Sequence, residues 1–178
     1  MLNRLICLIL GYFIGAIIQT GFWIGKFNHI DIRDYGSGNA GTTNTMRTLG
    51  KKAGFITYFM DAFKSCITAL IIHFIYGSNA DISEMLLILY GGFGVVLGHN
   101  FPFYLGFKGG KGIATSLGVL LMINWQIGLI CLVFALILMA ITRMVSVGSI
   151  AAAILFPVLV VFIGQNYIVP VNNWSYLI

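Results

Sequence analysis

Long stretches without a charged residue dominate the chain and predict membrane-spanning helices. Residues 5–25 form a run of 21 uncharged positions, and residues 85–107 form a run of 23. At about 1.5 Å per helical residue, either run can cross a hydrocarbon core of about 30 Å. A third apolar stretch, residues 53–76, is interrupted only by two charged residues and one histidine. We therefore predict three membrane-spanning helices before residue 108.

The next uncharged run is too long for one comfortable crossing. Its 31 residues, 112–142, would form a helix of about 46 Å. The segment Asn124–Gln126 lies near the middle of this run and predicts a break between two helices. The first of the two, residues 113–123, would be only about 16 Å long. We expect it to enter the membrane without crossing it, since its length falls short of the hydrocarbon core.

The C-terminal region is uncharged from Met144 onwards and contains two prolines that favour kinks or turns. It predicts one further span near residues 149–165, followed by a polar turn over residues 165–173. Residues 174–178 look like the first turns of another helix. Because a membrane protein rarely ends in this way, we expect that the C-terminus is truncated.

The composition agrees with a membrane protein and excludes an ordinary soluble domain. Hydrophobic residues make up 59% of the chain and charged residues 8%, whereas about a quarter of a soluble domain is charged. The length of 178 residues predicts one domain, residues 1–178. The first apolar run is too long for a secretory signal, and no small-residue cleavage site follows it, so we interpret it as a retained anchor.

The distribution of basic residues predicts the orientation, because short loops rich in Lys and Arg stay on the cytoplasmic side. Five basic residues follow the first span, whereas the loop after the second span carries only Asp81 and Glu84. The N-terminus is therefore expected outside. The predicted fold is all-α: a polytopic membrane helix bundle in the cell membrane, with its polar loops facing the cytoplasm.

The first polar segment, Gly36–Lys52, combines glycines with small hydrogen-bond donors and basic residues. Glycines let consecutive backbone N–H groups converge, and a helix beginning near Thr42 would add the partial positive charge of its N-terminus. Arg47 can hold a phosphate through two parallel hydrogen bonds. These features predict an anion site, although a flexible interhelical loop is the commoner role of Gly and Asn clusters. The small donors are Ser37, Asn39, Thr42, Thr43 and Asn44.

The second polar segment, Gly98–Gly112, carries two lysines among four glycines near its end. Lys108 and Lys111 can approach one multivalent anion beside exposed backbone N–H groups. The positive-inside rule by itself explains the lysines but not the glycines. His99, before Pro102, is interpreted either as a buried structural histidine or as a catalytic one.

A third, shorter segment, Thr142–Ser149, contains one arginine and two serines. Alone it is weak evidence, since Arg143 can serve as an interfacial anchor and Ser146 as a helix cap. Together with the other two segments it adds donors on the same predicted membrane face.

Several familiar patterns do not fit this chain. Gly36, Gly38 and Gly41 match the spacing of the dinucleotide fingerprint, but a membrane span and a short charged segment precede them instead of a strand. The cysteines are odd in number, far apart and within apolar segments, which predicts packing instead of a disulfide framework or a metal site. They are Cys7, Cys66 and Cys131.

Two further patterns keep alternatives open. His29 and Asp34 reproduce the His-x-x-x-x-Asp dyad of a large class of glycerolipid acyltransferases, although nothing resembling that class's other blocks follows. Asp61 and Lys64 are three residues apart and share a face of the second predicted span. Mutual pairing near the interface explains them adequately, and lining the polar site is the alternative.

The three polar segments resemble those of the bacterial acyl-phosphate-dependent glycerol-3-phosphate acyltransferases, the PlsY family. The resemblance runs in order over nearly the whole chain. It implies an integral membrane enzyme with seven membrane helices. The enzyme would transfer an acyl chain from acyl-phosphate to the 1-hydroxyl of sn-glycerol 3-phosphate, giving lysophosphatidate and inorganic phosphate.

The resemblance also implies roles for individual residues. Ser37, Asn39, Asn44, Arg47, Lys108, Lys111 and Ser146 would bind the two phosphate groups, and His99 would support the site. With the loop chemistry added, the expected catalytic residues are Ser37, Arg47, His99, Lys108, Lys111 and Ser146. The expected phosphate-binding residues are Gly36, Gly38, Asn39, Gly41, Thr43, Asn44, Gly109, Gly110, Gly112 and Arg143.

No cofactor, metal or nucleic acid is expected. The expected partners are acyl-phosphate, sn-glycerol 3-phosphate and membrane lipid, and the soluble enzyme that makes acyl-phosphate is a candidate. Two departures from the family are visible: Ser65 stands where members usually carry Gly, and the family's last cytoplasmic segment is missing after Ile178. The rival hypotheses are a small anion transporter and a catalytically silent membrane subunit.

Overall fold

The described part of the chain, residues 1–77 and 83–162 of a computed structural model, is helical and contains no strand. Five of its helical segments are long and apolar enough to cross a membrane. The predicted all-α membrane bundle is therefore confirmed, whereas the count of seven membrane helices stays a prediction. The helices are α1 (Leu2–Ile17), α2 (Thr20–Phe27), α3 (Thr42–Leu49), α4 (Lys51–Tyr76), α5 (Glu84–Asn100), α6 (Ile113–Ile123), α7 (Trp125–Thr142) and α8 (Val145–Phe162).

The described residues form two compact units, one within residues 1–119 and the other within residues 120–162. In the first unit α1 packs along α5, and α4 contacts α1, α2, α3 and α5. In the second unit α7 packs against α8.

Glycines allow α1 and α5 to approach each other closely. A Cβ atom on Gly11 or Gly15 of α1 would overlap backbone atoms of α5, and one on Gly94 or Gly98 of α5 would overlap backbone carbonyls of α1. In a membrane, small residues at such a contact let dispersion forces act between the two backbones, because lipid gives no hydrophobic drive for helix association. The contact is reinforced where the Tyr12 hydroxyl donates to the carbonyl of Phe101.

The first span is broken, which the apolar pattern did not predict. α1 ends at Ile17 and α2 begins at Thr20, so the carbonyls at the end of α1 lose their helical partners. Side chains replace those partners within the apolar surroundings. Gln19 Nε2 donates to Gly15 O at 3.3 Å and Tyr104 Oη to Ala16 O at 3.0 Å, while Trp23 Nε1 donates to Ile17 O and Lys64 Nζ to Ile18 O, both at 2.9 Å.

The break predicted at Asn124–Gln126 is confirmed. α6 ends at Ile123 and α7 begins at Trp125, and the Asn124 side chain caps α7 by accepting a hydrogen bond from Ile127 N at 2.8 Å. An N-cap of this kind satisfies one of the free N–H groups of the first turn. α6 has the predicted bounds and 11 residues.

α6 also meets α4 in the first unit. A Cβ atom on Gly118 would overlap the carbonyl of Ala62, and Ser65 Oγ donates to Thr115 O at 3.0 Å. The residue that departs from the family pattern, Ser65, is therefore buried at this contact with its hydroxyl satisfied.

In the second unit, α8 begins at Val145 instead of near Ser149 and contains Pro157. The turn between α7 and α8 is short, with Arg143 in the left-handed conformation at φ 56°. The polar turn at residues 165–173 and the predicted truncation at residues 174–178 lie outside the described residues. Among the described residues, the three cysteines are free.

Packing between α1 and α5 generates a stability prediction. Gly94→Ala places a methyl group against the backbone of Leu8 and 2.9 Å from Tyr12 N, so we expect it to destabilise the protein by about 1–3 kcal/mol. The measurement is thermal unfolding of the purified protein in detergent. Phe93→Ala is the control, since it removes a larger group from a position that is 59% exposed and should change stability by less than about 0.5 kcal/mol. Equal effects of the two substitutions would contradict the packing role.

Candidate active site

The fold brings the first two polar segments together in the first unit. Asn39 Nδ2 donates to the carbonyl of Gly109 at 3.1 Å. Gly41, the residue that precedes α3, lies beside the second loop: an added Cβ atom would be in van der Waals contact with Gly110 Cα at 3.7 Å and Lys111 N at 3.9 Å. Two loops that are about 70 residues apart in sequence thus form one surface. We call this surface, made of residues 36–47 and 106–112, the two-loop surface.

Asn44 organises the first loop from the buried side of α3. Its Oδ1 accepts a hydrogen bond from Ser37 N at 2.8 Å, while its Nδ2 donates to Ile32 O at 2.9 Å and to Tyr35 O at 3.0 Å. Both ends of its amide are therefore engaged inside the protein. Gly36 is left-handed at φ 60° and touches the same amide, so a side chain would be strained there and would collide with it. Asn44 shapes the loop, and its predicted phosphate contact stays untested.

The first turn of α3 begins at Thr42, as predicted, and leaves backbone N–H groups without helical partners. Gly41 provides no side-chain cap, and its own N–H donates to Asn39 Oδ1 at 2.9 Å. Among the described residues, the buried Thr42 Oγ1 also has no hydrogen-bond partner. A helix N-terminus with unused N–H groups favours a negatively charged ligand.

The glycines of the second loop pack against the end of α5. Gly109 N donates to Asn100 O at 3.1 Å, and Gly110 N donates to His99 O at 3.0 Å. A Cβ atom on Gly109 would overlap the His99 carbonyl, and one on Gly110 would overlap the His99 ring. These two N–H groups are already used within the protein. Glycine is needed at both positions for this close packing on His99, and the phosphate contacts of Gly109 and Gly110 stay a prediction.

The cations of the two-loop surface are exposed. Exposed side chains include those of Arg47, Lys108 and Lys111, and the neutral Ser37 is exposed as well. Among the described residues, no salt bridge engages Arg47, Lys108 or Lys111. Their charges are therefore available to an external anion. The second loop leads directly into α6, which begins at Ile113. Gly38 and Gly112 are both left-handed, at φ 69° and 74°, which the turns of the loops require.

A buried polar cluster lies beneath the second loop, and we call it the Lys64 cluster. Lys64 Nζ donates to Asp61 Oδ1 at 3.0 Å and to Ile18 O at 2.9 Å, and it lies 2.6 Å from His99 Nδ1. Lys64 is fully buried and His99 is 3% exposed. Gln19, also buried, donates to the His99 carbonyl at 2.9 Å.

The Lys64 cluster was only partly visible in the sequence. Asp61 and Lys64 pair with each other, which is the first of the two interpretations of these residues. Both also lie close to His99, and their role in lining a polar site stays a prediction. Gln19 was missed entirely. The available signal was its position as a polar residue inside a charge-free span, where an amide must find partners.

A second ion pair, outside the membrane spans, connects the segments that precede the two loops. Arg33 binds Asp31 through two hydrogen bonds, Nε to Oδ1 at 3.0 Å and Nη2 to Oδ2 at 2.8 Å. Arg33 Nη1 also donates to Leu105 O at 2.9 Å. Hydrogen bonds from Arg33 lower the pKa of Asp31 to about 2, and the same pairing raises the pKa of Arg33.

The residues of the alternative His and Asp dyad are both exposed. His29 is left-handed at φ 60°, and Asp34 ends a 3₁₀ turn, Ile32–Asp34. Among the described residues no hydrogen bond or salt bridge joins their side chains; the acidic partner of Arg33 in this segment is Asp31.

The third segment belongs to the second unit. Arg143 directly follows α7 as its C-cap and Ser146 lies in the first turn of α8, and both are exposed. The backbone carbonyl of Ser146 accepts a hydrogen bond from Ser149 Oγ at 3.0 Å. The role of Arg143 and Ser146 in a site with the first two segments stays a prediction.

Comparison with known proteins agrees with the sequence resemblance. A family profile described as glycerol-3-phosphate acyltransferase matches residues 5–178. A glycerol-3-phosphate acyltransferase of Lactiplantibacillus plantarum is 45% identical over 165 residues, covering 92% of this chain and 76% of the relative. The corresponding protein of Clostridioides difficile is 38% identical over 167 residues, covering 92% of this chain and 80% of the relative.

Two solved structures are similar as well. Both are crystal structures of PlsY, an integral membrane glycerol 3-phosphate acyltransferase. The glycerol 3-phosphate form has a TM-score of 0.78 at 37% identity and covers 90% of this chain and 78% of that one. The lysophosphatidic acid form has a TM-score of 0.77 at 37% identity and covers 90% of this chain and 77% of that one.

The Asp31–Arg33 pair generates a pH prediction. The lowered pKa of Asp31 means that the carboxylate stabilises the folded state above its ordinary pKa of about 4 and loses this effect as the pH falls towards 2. We expect Asp31→Asn to cost about 2 kcal/mol at pH 7 and nothing near pH 2.

Unfolding in detergent, followed from pH 7 to pH 2 for wild type and Asp31→Asn, measures this gap. Asp34→Asn serves as the control, because Asp34 is exposed and takes part in none of the salt bridges found among the described residues. A gap that stays constant between pH 4 and pH 2 would rule out the stabilising role of the Asp31 carboxylate.

Proposed function

Because the chain belongs to the glycerol-3-phosphate acyltransferase family, we propose that it acylates sn-glycerol 3-phosphate at its 1-hydroxyl, with acyl-phosphate as the donor. The products are lysophosphatidate and inorganic phosphate. The related PlsY crystal structures support the acceptor and the lipid product, since one is a glycerol 3-phosphate form and the other a lysophosphatidic acid form. The choice of acyl-phosphate rests on the resemblance of the three polar segments.

The observation that carries the proposal is the two-loop surface. It joins the N-terminus of α3 to the segment that leads into α6, at the contact of Gly41 with Gly110 and Lys111. Both helix N-termini carry partial positive charge, and Arg47, Lys108 and Lys111 add three exposed cations. Positive charge favours binding of two phosphorylated substrates, because their phosphates repel each other.

The expected roles follow from the chemistry of the side chains. Arg47 would grip one phosphate with two parallel hydrogen bonds, whereas Lys108 and Lys111 would act as point charges. Ser37 and Thr43 add hydroxyl donors near the start of α3. Arg143 and Ser146 would complete the set, and residues 1–178 would then act as one acyltransferase domain, as the family match over residues 5–178 supports.

Catalysis would depend on alignment and charge stabilisation. The 1-hydroxyl oxygen attacks the carbonyl carbon of acyl-phosphate, the bond from that carbon to the phosphate oxygen breaks, and phosphate leaves. Acyl-phosphate is an activated anhydride, so the protein has mainly to position the hydroxyl and to stabilise the developing negative charge with fixed donors. The departing phosphate accepts the hydroxyl proton, and no additional base is required.

The membrane position fits a donor and a product that both carry an acyl chain. We propose that the N-terminus lies outside and that the two-loop surface faces the cytoplasm of the cell. The asymmetry of basic residues supports this orientation. A soluble enzyme that produces acyl-phosphate would then deliver the donor on the same side.

The choice of donor can be tested directly. Purified protein in lipid nanodiscs is given radiolabelled glycerol 3-phosphate with acyl-phosphate, acyl-CoA or acyl carrier protein, and lysophosphatidate is measured. We expect product from acyl-phosphate alone. A requirement for a thioester, together with loss of activity in His29→Ala and Asp34→Ala, would replace the proposal by the alternative His and Asp mechanism.

The two-loop surface can be tested by single substitutions. Arg47→Ala and Lys111→Ala should each lower kcat/KM by about 10²- to 10³-fold, the range found when one electrostatic donor to a transition state is removed. The control is Lys26→Ala, whose exposed lysine forms a 3.7 Å surface ion pair with Asp31. Such pairs contribute little, so this variant should stay close to wild type. Normal rates in Arg47→Ala and Lys111→Ala would show that the phosphates bind elsewhere.

A further inference from the structure

The Lys64 cluster connects a lysine inside a membrane span to the histidine beneath the second loop. We propose that Lys64 is a positioning residue that holds His99 in the tautomer with its proton on Nε2. The Nε2 edge of the ring then presents an N–H donor to the glycine turn at Gly110. The proposal rests on the proposed function, because it assigns this turn a part in holding a substrate phosphate.

The first step is the hydrogen-bond count at Lys64. An ammonium group has three N–H donors and no acceptor. Lys64 Nζ has three partners within 3.0 Å: Ile18 O at 2.9 Å, Asp61 Oδ1 at 3.0 Å and His99 Nδ1 at 2.6 Å. The adjacent carboxylate of Asp61 favours the charged lysine. Since all three N–H groups are then used for donation, His99 Nδ1 must act as an acceptor.

The second step concerns the other ring nitrogen. A neutral imidazole whose Nδ1 accepts a hydrogen bond carries its proton on Nε2. The ring atoms nearest to a Cβ atom added at Gly110 are Nε2, Cε1 and Cδ2 of His99, with Nε2 the nearest. The Nε2 edge of the His99 ring therefore faces Gly110, next to Lys111 in the two-loop surface.

The third step is that both the ring and the backbone of His99 are held in place. The residue is 3% exposed, and its ring lies against Lys64 Nζ on one side and Gly110 on the other. The backbone carbonyl accepts hydrogen bonds from Gln19 Nε2 at 2.9 Å and from Gly110 N at 3.0 Å. A rotation of the ring would therefore disturb its contact with the turn between Lys108 and Lys111.

A purely structural ion pair does not require this arrangement. Burying two charges is costly, and apolar residues of similar volume often serve stability equally well. Charges within membrane spans are usually kept for function. The proposed role explains why the cluster holds a lysine whose third N–H faces a histidine, and why this histidine acts as a donor and not as the base for the substrate hydroxyl.

The tautomer can be measured without substrate. The chain has three histidines, and ¹⁵N labelling of their rings with long-range proton–nitrogen correlation distinguishes Nε2–H from Nδ1–H; His99→Gln assigns the His99 signals. We expect wild-type His99 to be neutral with its proton on Nε2. A proton on Nδ1, or a doubly protonated ring, would overturn the proposal whether or not the protein acylates glycerol 3-phosphate.

A matched pair of His99 variants tests the N–H donor in the reaction. Gln places an amide N–H₂ near the position of Nε2, whereas Asn, one methylene shorter, places it near Nδ1. We expect His99→Gln to keep about tenfold more kcat/KM than His99→Asn, the effect of about one hydrogen bond to a charged group. Equal losses, or a better His99→Asn, would contradict a donor at Nε2.

The double variant Asp61→Leu with Lys64→Met removes both charges and leaves no unpaired ion in the membrane. Because apolar residues of similar volume replace the pair, we expect the protein to fold, with an unfolding temperature lowered only by the loss of the Lys64 hydrogen bond to Ile18 O. His99 should then populate both tautomers, and kcat/KM should fall about ten- to hundredfold.

Two results in this variant would refute the role of Lys64. One is an unchanged tautomer with normal kcat/KM, and the other is a loss of activity that only follows a loss of folded protein. Absence of acyl transfer in the wild type would count against the proposed function alone, since the tautomer measurement is independent of it.

Discussion

Lys64, fully buried within a membrane-spanning helix, constrains the structure around it. A buried ammonium requires acceptors for all of its N–H groups, because no water is available at that depth to replace them. The protein supplies a carboxylate from the same helix, a ring nitrogen from α5 and the carbonyl of Ile18. That carbonyl has no helical partner, since the first span is broken at this point. The break and the charge therefore stabilise each other.

Close approach of backbones provides the rest of the framework. Gly94 and Gly98 let α5 lie against α1, which places His99 at a defined depth beside Lys64 and Gln19. Gly109 and Gly110 then pack on His99 and carry the second loop to Gly41 of the first loop. Glycine thus allows close approach at two places, between the helices α1 and α5 and between the two polar loops. Because His99 directly follows Gly98 in α5 and packs against Gly109 and Gly110, it connects the helix packing to the two-loop surface.

Sequence reasoning succeeded where a single local signal decided the outcome. The break at Asn124 was predicted because a polar residue with N-cap chemistry interrupts a run that is too long for one crossing. The helix start considered near Thr42 agrees with α3, which begins at that residue. The break at Ile18 and Gln19 was missed because its cause is not local: four carbonyls at the end of α1 find side-chain donors at positions 19, 23, 64 and 104.

The sequence by itself determined that this chain is an all-α membrane protein of the glycerol-3-phosphate acyltransferase family, because apolar run length, charge distribution and short motifs are local properties of the chain. The tertiary structure decided what the polar residues do. Asn44, Gly109 and Gly110 form hydrogen bonds within the protein that shape the loops, while their predicted phosphate contacts stay a prediction. Asp61, Lys64 and Gln19 acquire their importance from His99, which lies at least 35 positions away in sequence. Hydrogen bonding between distant residues depends on how helices pack, and no local pattern encodes it.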